Sequence, residues 1–326
     1  MKVIVTDFEY ETFEPELEVL ERVGLTLHYE QCHTEEEVIE RCQDAHALFN
    51  QYAPITRRVI EALPHLKVIA RYGVGFNTVD IEAATEHGVV VCNVTDYCLG
   101  EVSDHTMALL LDSARKVTKL NNSIESGVWN FNVSAPLYRL AGRTLGLVGF
   151  GNIPQQVARK AQAFDLHVIA YDPFMDEAYA KERGVTLVSL EQLCEQSDFI
   201  SVHVPLNEQT HHLISTEQLN LMKKESILIN TARGPIIDEQ ALIEALEKGQ
   251  IAGAALDVLE TEPIASDHPF LMMDQVILTP HAAFYSVEAE EELKRKTADN
   301  VAHVLTGKVP PYVVNRAVLN RLQLKG

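Results

Sequence analysis

The stretch from Thr144 to Asp172, TLGLVGFGNIPQQVARKAQAFDLHVIAYD, leaves this chain the fewest choices of fold. Thr144–Val148 is an apolar run short enough for a strand buried on both faces. Gly149, Phe150 and Gly151 make a tight turn. Ile153, Val157, Ala161 and Phe164 then recur on one face of a helix, and Val168–Tyr171 is a second apolar run. Asp172 closes the unit, 23 residues beyond Gly149. A strand–turn–helix–strand unit of this kind belongs to a parallel sheet covered by helices. The turn also has a chemical reading. Gly149 and Gly151 let the backbone approach a ligand, and Asn152 and Ile153 open the helix, where free N–H groups and the dipole favour a pyrophosphate. A carboxylate at the end of the second strand accepts hydrogen bonds from ribose hydroxyls and repels a 2′-phosphate. The unit is therefore expected to bind NAD rather than NADP. Pro154 stands where the G-x-G-x-x-G pattern has its third glycine. It is tolerated there, because an N–H in the first helical turn has no intrahelical acceptor.

The rest of the chain repeats the alternation. Strands are expected at 2–6, 25–29, 45–49, 66–70 and 89–92, with helices at 15–23, 34–42, 56–63 and 79–87 between them. Thr34 and Glu37 form a capping box. Residues 101–124 read as a single long helix suited to bridging two domains, and Trp129 beyond it is expected to fill a domain junction. Further strands are expected at 198–204, 226–230, 252–256 and 276–279, and a long helix at 286–305. The order implies two α/β units, the second inserted in the first.

The 326 residues are enough for two such sheets. A net charge of −20 argues against nucleic acid or an anionic membrane as a partner. Cys32, Cys42, Cys92, Cys98 and Cys194 lack metal-type spacing and are expected to be reduced thiols of a cytosolic protein. Neither a signal peptide nor a membrane-length apolar run is recognisable, so a cytoplasmic location is expected. No metal site is expected: His211-His212 has no H-E-x-x-H pattern and no carboxylates at supporting spacing.

Arg233, Asp257, Glu262 and His281 all follow the C-terminal ends of expected strands, the edge at which open parallel sheets bind ligands. An arginine can hold a 2-keto acid's carboxylate and polarise its keto oxygen. A histidine can protonate that oxygen as hydride arrives, and a neighbouring carboxylate fixes its tautomer and favours the protonated form.

The runs TLGLVGFGNIPQQVA, ILINTARGPIIDEQALIEAL, GAALDVLETEP and TPHAAFYS resemble the D-isomer-specific 2-hydroxyacid dehydrogenase family across most of residues 66–306. The resemblance implies two Rossmann/flavodoxin-like α/β domains with parallel sheets. The NAD-binding domain, 99–286, would be inserted into a substrate (catalytic) domain made of 1–98 and 287–326. It implies Arg233, Glu262 and His281 as catalytic residues, Asp257 as a nicotinamide contact, and His203, Val204 and Thr231 as further cofactor contacts. Arg71 and the backbone of Gly73, Val74 and Gly75 would bind the substrate carboxylate. Two runs, His203–Gln209 with His211-His212 and His281–Ser286, are similar to the branch that includes the C-terminal-binding-protein corepressors. Phe284 stands where that branch has a tryptophan facing substrate. The leading expectation is a homodimeric enzyme interconverting a small 2-keto acid and a D-2-hydroxy acid. The alternatives are an NADH-sensing corepressor-like binding protein and a 3-phosphoglycerate dehydrogenase.

Overall fold

The computed structural model describes residues 1–322 and Leu324; residues 323, 325 and 326, at the end of the expected 287–326 segment, lie outside the described residues. The chain divides into two compact units, 1–98 with 286 onward, and 99–285.

In the first unit β1 (Lys2–Val5), β2 (Thr26–Tyr29), β3 (Ala47–Asn50), β4 (Val68–Arg71) and β5 (Val90–Cys92) alternate with α1 (Glu14–Glu21), α2 (Glu35–Arg41), α3 (Arg57–Ala62) and α4 (Ile81–Glu86). All the strand pairs are parallel, in the order β2-β1-β3-β4-β5. β3 and β5 are buried at every position, as a sheet covered on both faces requires. The order reverses between β1 and β3. Ligands in such sheets bind outside the carboxyl ends of the strands at a reversal of this kind. Asp7 lies just there, and its carboxylate accepts the N–H groups of Gln51, at 3.2 Å, and Tyr52.

The second unit begins with α5 (Leu99–Arg115) and α6 (Val117–Glu125). It continues through β6 (Thr144–Val148), α7 (Asn152–Gln162), β7 (His167–Tyr171), α8 (Glu177–Glu182), β8 (Thr186–Leu187), α9 (Leu190–Gln196) and β9 (Phe199–Val202). α10 (Thr216–Leu221), β10 (Ile227–Asn230), α11 (Glu239–Glu247), β11 (Gly253–Leu256) and β12 (Val276–Leu278) complete it. Its seven strands are parallel in the order β12-β11-β10-β9-β6-β7-β8. The reversal lies between β6 and β9, the arrangement of a dinucleotide-binding sheet. α12 (Val287–Leu305), capped by the Ser286 side chain on the Ala289 N–H, returns the chain to the first unit and packs on α1 and β4. Its Lys294, itself buried, donates to the Thr12 carbonyl at 3.0 Å and lies 4.4 Å over the Tyr10 ring.

Two expectations are corrected. The long helix expected over 101–124 is broken at Lys116, which takes a left-handed conformation (φ +52°). Asp112 causes the break by accepting both the N–H and the hydroxyl of Thr118, at 2.8 and 2.6 Å, which draws the chain back and starts α6 afresh. Trp129 fills no junction: it is 89% exposed, beside Phe131 at 79%. All five cysteines are buried and none is in a disulfide. No helix among the described residues is long and apolar enough to cross a membrane.

Candidate functional site

The glycine turn sits at the reversal between β6 and β9. Gly149 has φ +98°, and a Cβ there would lie 3.1 Å from the His203 carbonyl carbon and from Val204 Cγ1. Only glycine therefore meets both the conformation and the close approach of the β9 end. At Gly151, by contrast, a Cβ would meet nothing within 4 Å, so the backbone is bare on that side. The first helical bond is Gln155 N–H to the Gly151 carbonyl at 3.2 Å. Pro154, third in α7 and buried, thus forfeits no intrahelical bond, while Asn152 and Ile153 keep N–H groups with no acceptor in their own helix. Asp172 Oδ2 accepts the Phe150 N–H at 2.9 Å and Oδ1 the Phe174 N–H at 3.0 Å. Each oxygen retains a second lone pair. The His203 N–H bonds Val148, its Nε2 pairs with Ser201 Oγ at 2.8 Å, and burial pushes its pKa down to about 3, which keeps the ring neutral. Val204 packs on the core beneath the turn, and the buried Thr231 pairs with Thr106 at 2.9 Å. A bare glycine turn, free helix-start N–H groups and a carboxylate at the end of the next strand fit a dinucleotide.

Along the same edge, β10, β11 and β12 end in the other residues of interest. Asn230 closes β10; its amide donates to the Arg233 carbonyl and accepts the Ala232 N–H, both at 2.9 Å, and so braces the turn that carries Arg233. Asp257, buried at the end of β11, accepts from Thr279 Oγ1 at 2.6 Å and from the N–H groups of Ala282 and Ala283 at 2.9 Å. Its carbonyl takes the His281 N–H at 2.8 Å. These four bonds hold His281 in a left-handed conformation, φ +53°. His105 from α5 adds a contact to Thr279 Oγ1 at 3.0 Å. His281 Nδ1 meets Glu262 Oε2 at 2.7 Å, with both side chains about one-third exposed, and the Phe284 ring lies edge-on 6.4 Å from the imidazole. Burial acts to raise the Glu262 carboxyl. The hydrogen bond and charge of His281, the Leu259 N–H and the Arg233 charge outweigh it, so Glu262 sits below its ordinary range. The bond at Nδ1 leaves Nε2 as the ring nitrogen able to exchange a proton with a ligand. Asn230, Thr279 and His105 are absent from the sequence reading; an asparagine closing a buried strand is the one signal available for them.

In the first unit, Arg71 ends β4 and its guanidinium donates to the Tyr72 carbonyl. Gly73 has φ +122°, and a Cβ there would lie 2.3 Å from the Arg71 guanidinium. The Gly73 carbonyl takes the Val94 N–H at 3.0 Å and the Val74 carbonyl the Asn93 amide at 2.7 Å. With its carbonyls turned into the protein, the loop keeps the N–H groups of Gly73, Val74 and Gly75 without a protein acceptor among the described residues.

The structure also brings to His212 two carboxylates that sequence spacing does not reveal, Asp238 and Glu260. Glu260 Oε1 is 2.9 Å from Nε2 and Asp238 Oδ2 is 4.0 Å from Nδ1. The acids flank opposite nitrogens of one ring, so the trio is an imidazole bridging two carboxylates and not three donors aimed at one ion.

Comparison with known proteins identifies the family. The family model for the NAD binding domain of D-isomer specific 2-hydroxyacid dehydrogenases matches residues 107–283. A glyoxylate reductase of Korarchaeum cryptofilum is 41% identical over 286 residues, 86% of each chain. A D-3-phosphoglycerate dehydrogenase of Methanocaldococcus jannaschii is 41% identical over 317 residues, which are 97% of this chain and 59% of that protein. The crystal structure of D-lactate dehydrogenase from Aquifex aeolicus, complexed with NAD and lactic acid, superposes with a TM-score of 0.87 at 29% identity, covering 96% of this chain and 99% of that one. The chain belongs to the D-isomer-specific 2-hydroxyacid dehydrogenase family and is an NAD-dependent oxidoreductase.

Proposed function

We propose that the protein reduces a small 2-keto acid to a D-2-hydroxy acid, and catalyses the reverse oxidation. The observation that carries the reading is the 2.7 Å Glu262–His281 pair beside Arg233 at one sheet edge. Bound NADH supplies the hydride. Arg233 binds the substrate and polarises its keto oxygen, which draws charge onto that oxygen. His281 gives the oxygen a proton from Nε2, and Glu262 holds the opposite nitrogen and stabilises the imidazolium before the transfer. Asp257 fixes the 281–283 backbone and takes the nicotinamide side of the site. Arg71 and the N–H groups of Gly73, Val74 and Gly75 bind the carboxylate, giving segments 1–98 and 287–326 the substrate role. Phe284 offers an apolar wall to the substrate side chain. Gly149, Gly151, Asn152, Ile153, Asp172, His203, Val204 and Thr231 serve the cofactor.

The glyoxylate reductase relatives favour glyoxylate or a keto acid of similar size, and the phosphoglycerate dehydrogenase relative supports the second reading, oxidation of 3-phosphoglycerate. A homodimer is supported by Val117, Ile124, Val128, Trp129 and Phe131, which expose apolar side chains together along α6 and the segment after it. The test is NADH consumption with glyoxylate, hydroxypyruvate and pyruvate, beside NAD reduction with 3-phosphoglycerate. Turnover of one of the keto acids is expected, and His281→Asn should lower kcat by about 100- to 10,000-fold while NADH still binds. Binding of NADH with no turnover of any of these four compounds would refute the reading that its substrate is a small 2-keto acid or 3-phosphoglycerate.

A further inference from the structure

Three glutamates of the second unit share one pattern: each carboxylate accepts from a histidine ring and from a backbone N–H. Glu262 takes His281 at 2.7 Å and the Leu259 N–H at 2.9 Å. Glu260 takes His212 at 2.9 Å and the Glu239 N–H at 3.1 Å. Glu239 takes His268 at 2.9 Å and the Glu260 N–H at 3.1 Å. The last two are reciprocal. The backbone of Glu239 donates to the side chain of Glu260, and the backbone of Glu260 donates to the side chain of Glu239. This joins the first turn of α11 to the irregular turn that carries Glu262. Asp238 already caps α11 through the Ala241 N–H at 3.0 Å, so the Glu239 carboxylate is spare to the helix and is used for the cross-connection. Beneath it Gly234, next to Arg233, is pressed so closely on the same turn that a Cβ would lie 1.9 Å from the Leu259 carbonyl.

The two histidine rings donate to these carboxylates and hold their side chains in place. The His268–Glu239 pair is the more sheltered, with side chains 17% and 18% exposed. The bonds of His212 and His268 described here end on Glu260 and Glu239 and not on the residues assigned above to proton transfer.

We propose that Glu239 and Glu260, steadied by His268 and His212, are positioning residues: their reciprocal bonds clasp the Glu262 turn to the Arg233 turn and set the reach from Glu262 to His281. This rests on the roles given above to Arg233, Glu262 and His281. An error of about 1 Å in such a site costs roughly 100-fold in rate, and the Glu262 turn lies in no helix or strand that would hold it independently.

The test compares Glu239→Ala, Glu260→Ala and Glu239→Gln with wild type in kcat and KM for the best keto acid, NADH affinity by fluorescence, and thermal melting. The alanine variants should lose about 10- to 100-fold in kcat with KM for the keto acid within about 2-fold of wild type. Glu239→Gln keeps an oxygen for the Glu260 N–H and should recover to within about 3-fold of wild type. NADH affinity should not change. Glu260→Ala lies on the exposed turn and keeps the test open if Glu239→Ala does not fold. Folded alanine variants with wild-type kcat would overturn the proposal, and so would Glu239→Gln falling as far as Glu239→Ala. Glu262→Gln and His281→Asn run in the same assay separate the two levels. If they too kept full turnover, the assignment of the catalytic pair would be wrong. If they fell while the clasp variants did not, only the clasp would be.

Discussion

Gly234→Ala adds a single methyl group at a position whose φ lies outside the left-handed region, so the perturbation is one of space alone. The new Cβ would lie 1.9 Å from the carbon and oxygen of the Leu259 carbonyl and 2.5 Å from the Glu260 nitrogen. These are backbone atoms, which cannot swing aside as a side chain does. Ordinary contact starts at 3.4 Å, so one of the two turns must retreat by about 1.5 Å. Overpacking of this kind costs about 1–3 kcal/mol of stability. The larger effect is on the site. The Leu259 N–H binds Glu262, and the turn's retreat draws that carboxylate from its 2.7 Å contact with His281. A kcat lower by about 100-fold is expected. NADH affinity should fall far less than kcat, because Gly149, Gly151 and Asp172, which are given the pyrophosphate and ribose, belong to other strand ends. The assay pairs an NADH fluorescence titration with keto-acid turnover on protein shown by melting to be folded. A kcat near wild type, or a fall in kcat matched by an equal loss of NADH affinity, would refute the reasoning.

Three other predictions concern cofactor, pH and assembly. Asp172 should make NADH better than NADPH by about 30-fold or more in kcat/KM, a difference of ~2 kcal/mol, and Asp172→Ala should narrow it; equal use of the two cofactors by wild type would remove the role given to Asp172. Glu16 is buried with its carboxylate on Tyr72 Oη at 2.8 Å, and desolvation pushes its pKa up from an ordinary 4.5 to about 7. A folded value above the unfolded one means that the folded chain holds the extra proton between these limits. Stability should therefore fall as pH rises through that window, by up to ~3 kcal/mol at about 1.4 kcal/mol per unit. Glu16→Gln should flatten the fall, as read from urea midpoints at either end of the window; parallel losses in wild type and variant would contradict it. In the homodimer proposed above, Trp129→Glu, placing a charge on the exposed apolar stretch, should shift sedimentation toward monomer; a wild type that sediments as a monomer, or an unchanged mass in the variant, would remove the role given to that stretch.

What could be read in the sequence follows how local the physics is. The Thr144–Asp172 unit was legible because apolar runs, glycines and a terminal acid act within one βαβ segment. Alternation implied parallel sheets, but the strand orders depend on pairings between distant segments, which no local pattern encodes. The break at Lys116 was hidden because Lys116 and its neighbours suit a helix; the cause is Asp112 recruiting Thr118. α9 did carry a local signal, the Ser189–Gln192 capping box, whereas α8 and the two-residue β8 are too short to show a period. Arg233, Glu262 and His281 could be singled out as candidates because each lies just beyond an apolar run. Their supports could not: Glu239 meets Glu260 across 21 residues, His268 across 29, and Glu260 meets His212 across 48.

The insertion of one unit within the other also sets a timetable for synthesis. Residues 99–285 form an uninterrupted block, so every strand of the seven-stranded sheet has been made before residue 286 is added. The five-stranded sheet is made first, yet it lacks α12, which packs on α1 and β4, and Asn315, whose side chain bonds the backbone at Val89 and Val91. At elongation rates of roughly 5–20 residues per second, the ends of that unit wait on the ribosome for about ten seconds or more. The nucleotide-binding block is thus the first part of the chain able to fold to completion, and NAD in the cell is available to stabilise it by mass action while the nascent chain is still growing. The unit bearing Arg71 is completed last, so on the roles proposed above a chain truncated before α12 should keep NAD binding and lose affinity for the keto acid.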